Sequence, residues 1–432
     1  MARAGTWDPE SGWTREHWLV FASTSAGFLL WGLITSLGYL VYPEYSSPAY
    51  IAIVAAMPLA GNLIMGRLSD VLVGRKRAFL VTMSLYAAGS LVVALDALYA
   101  SMNEALFLAG YAAATFAVEG EVPVSLAYLA EVSPTPLRDR VLILATNFDN
   151  VGAAVAAAIA AVAYGAGAYA AEALSIAIAA VASLAALAIV RSMMPESLRW
   201  LRARGLAPQR AEAEPRAAAS VEPTVGFLGR YSFLAALGVS QYITYGLMAF
   251  VVADYFFSGE SLNVVVLVAN AAASATGMIA PQIMERLGSV RFALLSYVGG
   301  LLTMGPIIAW ALYAPAIAAF YPLLALNMAF SELAWATRIV FEPALFPTER
   351  RAFMVALVRA APIAAYSASS YLTSAMSEAA YLAYNAALWA LGASAAAAWK
   401  LIGYDVSKVP LEVASAPRRG GPSSRSARRL PL

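Results

Sequence analysis

Charge is what this chain has least of: among 432 residues, 12% are charged and 61% hydrophobic, with a mean hydropathy of +0.69. Soluble domains are about one quarter charged, so an ordinary globular enzyme is excluded. Cysteine is absent, which removes disulfides, thiol catalysis and thiolate metal sites. The single histidine, His17, lies in the N-terminal segment, so no His-built metal or acid/base centre can sit within the apolar spans. A Gly-rich, Lys-ended phosphate loop is missing too, so ATP does not drive the protein directly. No cofactor, metal site, enzymatic reaction or nucleic-acid partner is expected.

Long apolar runs are abundant. Stretches of about 20 residues, enough to cross a hydrocarbon core, recur twelve times, from 18–42 to 379–402. The expected fold class is an all-α membrane protein of twelve spans. Of the 28 Lys and Arg residues, 26 fall in termini and loops that alternate onto one face. The positive-inside rule then places that face and both termini in the cytoplasm of a multi-pass cell-membrane protein. Arg338 and Arg359 fall within spans.

One long connection divides the chain. The expected organisation is a six-helix bundle over 1–190, a linker with a short helix over 191–230, a second six-helix bundle over 231–402 and a disordered cytoplasmic tail over 403–432. The halves echo each other, since Pro134-Thr135 and Pro347-Thr348 recur 213 positions apart, each with Arg four residues after the Pro. Parallel repeats of this kind build transporters in which two halves rock about a site near the midplane.

Three motifs occur in the first half. Gly66-Arg67-Leu68-Ser69-Asp70 is followed by Gly74-Arg75-Lys76; Pro123, Tyr128, Glu131, Pro134 and Arg138 end the fourth span; Pro195-Glu196-Ser197-Leu198-Arg199-Trp200 follows the sixth. The chain thus resembles the major facilitator superfamily, in its sugar-porter-like branch. That resemblance implies secondary active transport by alternating access. It further implies a gate on the cytoplasmic side, built from Gly66, Asp70, Gly74, Arg75, Lys76, Glu131, Arg138, Glu196, Arg199 and Arg351. The second half departs from the pattern: Ala344 stands where the repeat places Glu131, and Ser289 stands opposite Arg75. The paired glutamines typical of sugar binding in the seventh span are reduced to Gln241, followed by Tyr242 and Tyr245.

Ionisable residues inside spans cost about 3 kcal/mol or more and mark functional sites by default. Glu119, Glu121, Asp149 and Glu332 are the candidates for proton coupling. Glu119 and Glu332 lie 213 positions apart, at equivalent places in the repeat. Glu119 and Glu121 sit about 200° apart on a helix; Glu121, within Gly120-Glu121-Val122-Pro123-Val124, is the one expected to face the cavity. Asn147 and Asn150 share a face suited to a polar solute, and Asp149 points elsewhere. Arg359 is expected to pair with Glu332 or to bind an anionic substrate, and Arg338, four residues before Glu342, to form an ion pair or to snorkel toward the cytoplasmic end. Candidate solute contacts are Glu121, Asn147, Asn150, Gln241, Tyr242, Tyr245, Trp335 and Arg359. The expected partners are a small solute, protons and the lipid bilayer, with a monomer as the working unit. A sugar or related compound comes first, an organic anion such as an aromatic acid second, and a non-transporting sensor or scaffold is the reading of another class.

Overall fold

The computed structural model describes residues 12–41, 48–100, 103–164, 169–208, 222–257, 261–313 and 315–417. Twelve long helical segments dominate them. They are α1 Arg15–Val41, α2 Pro48–Leu68, α3 Gly74–Leu95, α4 Glu104–Val132, α5 Arg138–Thr146 continued by Phe148–Tyr164, and α6 Tyr169–Met193. The second six are α7 Phe227–Gly246, continued by a π-helical turn Leu247–Val251 and by Val252–Phe256, then α8 Ser261–Leu287, α9 Ser289–Tyr313, α10 Ile317–Ala344, α11 Arg351–Thr373 and α12 Glu378–Ile402. Most are apolar on every side, as helices bounded by lipid and by one another must be.

Helices α1 to α6 pack among themselves, as do α7 to α12. Across the seam, α2 lies on α11 and α5 on α8. Burial follows the repeat: positions 117–134 of α4 and beyond, and 331–346 of α10 and beyond, are continuously buried. Each half therefore wraps around its fourth helix, which carries Glu119 and Glu121 in the first half and Glu332 in the second.

Small residues bring backbones together. A Cβ on Gly32 of α1 would stand 1.9 Å from the Asp149 carbonyl oxygen of α5, and one on Gly152 would stand 2.0 Å from that of Leu29. Contact this close, permitted only by glycine, sets α5's Asp149 and Asn150 beside α1. Across the seam, Gly66 admits Ala356, and Asn62 Nδ2 donates to the Ala356 carbonyl at 2.6 Å.

The segment after α12 corrects an expectation. Residues 404–417 are packed rather than unstructured: Val406 and Leu411 are fully buried, and a short helix spans Leu411–Ala414. Buried backbone carbonyls explain the order, because Arg138 donates to Val406 O at 2.9 Å and to Val409 O at 2.8 Å. A charged donor held in that way fixes the segment it caps. The remainder of the expected tail, and 209–221 of the linker, lie outside the described residues, whereas the linker's short helix is present at Leu198–Ala203.

The chain has no cysteine, so one introduced cysteine reports on one position. Arg350→Cys and Ser374→Cys, at exposed sites on either end of α11, are expected to react with a membrane-impermeant maleimide from opposite sides of a vesicle. Labelling of both from the same side contradicts the span assignment.

Candidate functional site

Polar side chains from six helices meet at the seam. Two adjoining chambers, holding about 670 and 440 Å³ of space, share Trp31 of α1 with Tyr242 and Tyr245 of α7. The smaller is lined by Asp149 and Asn150 of α5, Gln241 of α7, Glu332 and Trp335 of α10, and Arg359 of α11. Glu119 of α4 lines the larger, together with Tyr111, Thr115 and Tyr366.

Glu119 is the hub. Its Oε1 accepts from Trp31 Nε1 at 3.1 Å and from the Tyr242 hydroxyl at 3.3 Å, and its Oε2 meets Arg359 Nη2 at 3.3 Å. One carboxylate thereby ties α1 and α4 of the first half to α7 and α11 of the second. Arg359 pairs with Glu119 and not, as one expectation had it, with Glu332. Its guanidinium stands over the Trp335 ring at 5.3 Å. Glu332 instead accepts from Asn150 Nδ2 at 2.8 Å. Arg338 pairs with Glu342 at 2.8 Å and also donates to Gln241 Oε1 at 2.7 Å, so this glutamine's oxygen is already engaged.

Three sequence assignments change. Glu121 lies away from both chambers, inside the first half, bonded to Arg191 and accepting from Thr82 at 2.7 Å and Tyr86 at 2.9 Å. The half-turn separating it from Glu119 is the reason: with Glu119 at the seam, Glu121 must point into its own bundle. Asn147 is also outside the chambers, where it donates to Ser274 O of α8 at 2.9 Å. Asp149, expected to point elsewhere, lines the cavity.

A second polar cluster lies on the face that carries the basic loops, twelve positions along α4 from Glu119, or about 18 Å at 1.5 Å per residue. Arg75 is fully buried and donates to Glu131 at 2.7 and 3.1 Å and to Asp70 at 2.6 Å. Arg351, at the start of α11, meets the same Glu131 at 3.1 Å. Asp70 in turn accepts from the Phe353 backbone N–H at 2.7 Å, in the first turn of α11. Helix N-termini favour such a carboxylate. Both acids of the first half thus dock on one helix end of the second.

The surrounding residues hold this layer. Gly74 has φ +80°, and a Cβ there would lie 2.5 Å from Glu196 Oε2. The turn lets Glu196 accept from the Arg75 and Lys76 backbone N–H groups at 2.9 and 3.2 Å. Burial holds the Glu196 carboxyl above its usual range despite those bonds. Arg199 reaches the Glu131 carbonyl at 2.6 Å and Glu412 at 3.1 Å. Burial is the largest influence on the Glu412 carboxyl and raises it, but Arg199, the residue's own backbone N–H and Arg351 together make the net shift downward.

Sequence reasoning missed Arg191, counted as a loop cation, and the acids of the packed segment. Asp405 bonds to Ser289 at the start of α9 beside Gly288, whose φ is +75°. That arrangement repeats Glu196, Gly74 and α3, and the glycine spacing was a usable signal. Asp139 accepts from Ser407 Oγ at 2.7 Å, a contact with no signature in either residue's neighbourhood.

Breaking a buried ion pair from one side costs about 3–5 kcal/mol, because the partner is left charged and unpaired. Arg75→Ala is expected to destabilise the protein on that scale in thermal melts. Glu349→Ala, at an exposed site, is the control. Equal melting temperatures for both variants would contradict the pairing described.

The sequence matches the family profile of the Major Facilitator Superfamily over residues 19–362. No curated protein matches it. Among solved structures it is similar to the proton:xylose symporter XylE bound to 6-bromo-6-deoxy-D-glucose, with a TM-score of 0.68, 14% identity, and 92% of this chain and 98% of that one covered. The partially occluded inward open conformation of the xylose transporter XylE from E. coli gives a TM-score of 0.64, 16% identity and coverage of 91% and 99%. For the E. coli fucose:proton symporter FucP these are 0.63, 13%, and 89% and 99%. At such identities the likeness concerns the fold. With that fold, and with a family match over most of its length, the chain belongs to the Major Facilitator Superfamily of membrane transporters.

Proposed function

We propose that the protein carries a small polar solute, a sugar or related polyhydroxylated compound, across the cell membrane by alternating access, driven by a proton gradient. The basic face is then cytoplasmic, both termini lie on that side, and the working unit is a monomer without a cofactor. The observation that carries this reading is Arg359. It is buried and lines the seam cavity, yet its Nε and Nη1 have no partner. A buried unpaired donor costs about 1–3 kcal/mol, which a hydroxyl or ring oxygen of a bound solute would relieve. Trp31, Tyr242, Tyr245 and Trp335 offer flat faces on which a sugar ring can lie, and Asn150 lines the same chamber. The likeness in fold to the xylose and fucose symporters supports the same class. Gly66, Asp70, Gly74, Arg75, Lys76, Glu131, Arg138, Glu196, Arg199 and Arg351 act in this reading as the gate, closed toward the cytoplasm.

A second reading rests on the same two donors. A carboxylate accepts charge-assisted hydrogen bonds from a guanidinium, so an organic anion would also satisfy Arg359. Reconstituted protein with a pH-sensitive dye inside the vesicles, challenged with pooled sugars and separately with pooled carboxylates, separates the two. Protein-dependent acidification is expected with sugars. A response confined to carboxylates selects the second reading, and saturable binding without flux makes the protein a sensor.

Arg359→Lys keeps the charge and loses the planar fork. It is expected to raise the half-saturating solute concentration about tenfold, equivalent to one lost interaction of about 1.4 kcal/mol. Unaltered saturation would remove Arg359 from the binding site.

A further inference from the structure

Around the seam cavity the charges do not balance. Glu119, Asp149 and Glu332 face it with a single guanidinium, that of Arg359, which is already bonded to Glu119. Arg338 is committed to Glu342 and Gln241. Asp149 and Glu332 are 7% and 3% exposed, and among the described residues no Lys or Arg forms an ion pair with either.

One residue joins these two acids. The backbone N–H of Asn150 donates to Asp149 Oδ1 at 2.6 Å, and its side-chain Nδ2 donates to Glu332 Oε2 at 2.8 Å. Asp149 and Asn150 belong to the first half and Glu332 to the second, so the arrangement spans the seam. Glu332 Oε1 is buried and has no partner. A lone acceptor on an ionised, unpaired carboxylate is the least tenable arrangement for a buried group, which takes up a proton instead. The polar and titratable groups lining the chamber with the pair are Trp31 of α1, Gln241, Tyr242 and Tyr245 of α7, Ser331 and Trp335 of α10, and Arg359 of α11. None is a base that would accept the proton in their place.

We propose that Asp149 and Glu332 together hold the coupled proton, with Glu332 Oε1 as the oxygen that carries it. The proposal rests on the transport reading given above and names the acids responsible for its coupling. When both carboxylates are ionised they repel across the seam, and water must enter to solvate them. Protonation from the side opposite the gate removes the repulsion and lets the halves close around the solute. Opening toward the gate side rehydrates the pair, and the same proton leaves to water there. No covalent bond is made or broken.

The first test needs no transported solute. Infrared spectra of the purified full-length protein at neutral pH are expected to contain the carbonyl stretch of a protonated carboxyl. That band should vanish in the Asp149→Asn/Glu332→Gln double variant and persist in Glu119→Gln. A spectrum without the band in the parent protein, or with it unchanged in the double variant, overturns the proposal. Both changes are isosteric, and either single variant is expected to weaken or shift the band should the double variant fold poorly. The second test uses vesicles and the solute that the parent protein moves. Accumulation driven by an inward proton gradient should be lost in Glu332→Gln, while solute exchange at equal pH persists in part. Retained gradient-driven accumulation in the double variant overturns the proposal as well. A parent protein with the infrared band but no flux of any solute would contradict the transport reading alone.

Discussion

A charge inside an apolar bundle must find a partner, and the way this chain meets that demand organises everything else. Glu131 takes Arg75 from its own half and Arg351 from the other, so the ion pair that satisfies burial also joins the halves. Had the charges paired only within a half, as Glu121 does with Arg191, they would add rigidity without linking anything. The contrast between these two pairs on a single helix separates what holds a bundle together from what couples one bundle to the next.

The repeat supplies the frame and its imperfections supply direction. In each half a glycine with positive φ opens the third helix, and a carboxylate after the sixth helix caps it: Gly74 with Glu196, Gly288 with Asp405. The acids of the layer, Asp70 and Glu131, come from the first half only. The second half contributes Arg351 and the open N-terminus of α11. Erosion of the second-half motif is therefore consistent with a one-sided lock, in which acids of the first half accept from donors of the second as well as from their own Arg75. The segment 404–417 adds a strap across the same face through Arg138, Asp139 and Glu412.

Much of this was legible in the sequence. Twelve spans follow from apolar length alone, and the layer follows from motifs whose residues lie close together in the chain. The repeat offset relates Glu119 to Glu332, and each lines one of the two chambers. What was not legible depends on helix rotation and on packing between segments distant in sequence. Nothing local decides whether Glu119 or Glu121 faces the seam, since both are acids in an evenly apolar helix. That choice is made by Trp31, Tyr242 and Arg359 on one side and Arg191 on the other, drawn from four other helices. The packed segment was missed for a similar reason: its order comes from a distant arginine, while its own composition is that of a loop.

In the proposed transport cycle the two halves move reciprocally about the cavity, with the Arg75–Glu131–Arg351 layer closing one side. Spin-label distances measure this most directly, with one pair at Arg77 and Arg350 on the gate face and another at Glu104 and Ser374 on the opposite face, all exposed positions. On shifting the pH or adding solute, one distance is expected to grow as the other shrinks, and Arg75→Ala is expected to lengthen the Arg77–Arg350 distance at rest. Distances that stay fixed, or that change together in the same direction, would contradict it.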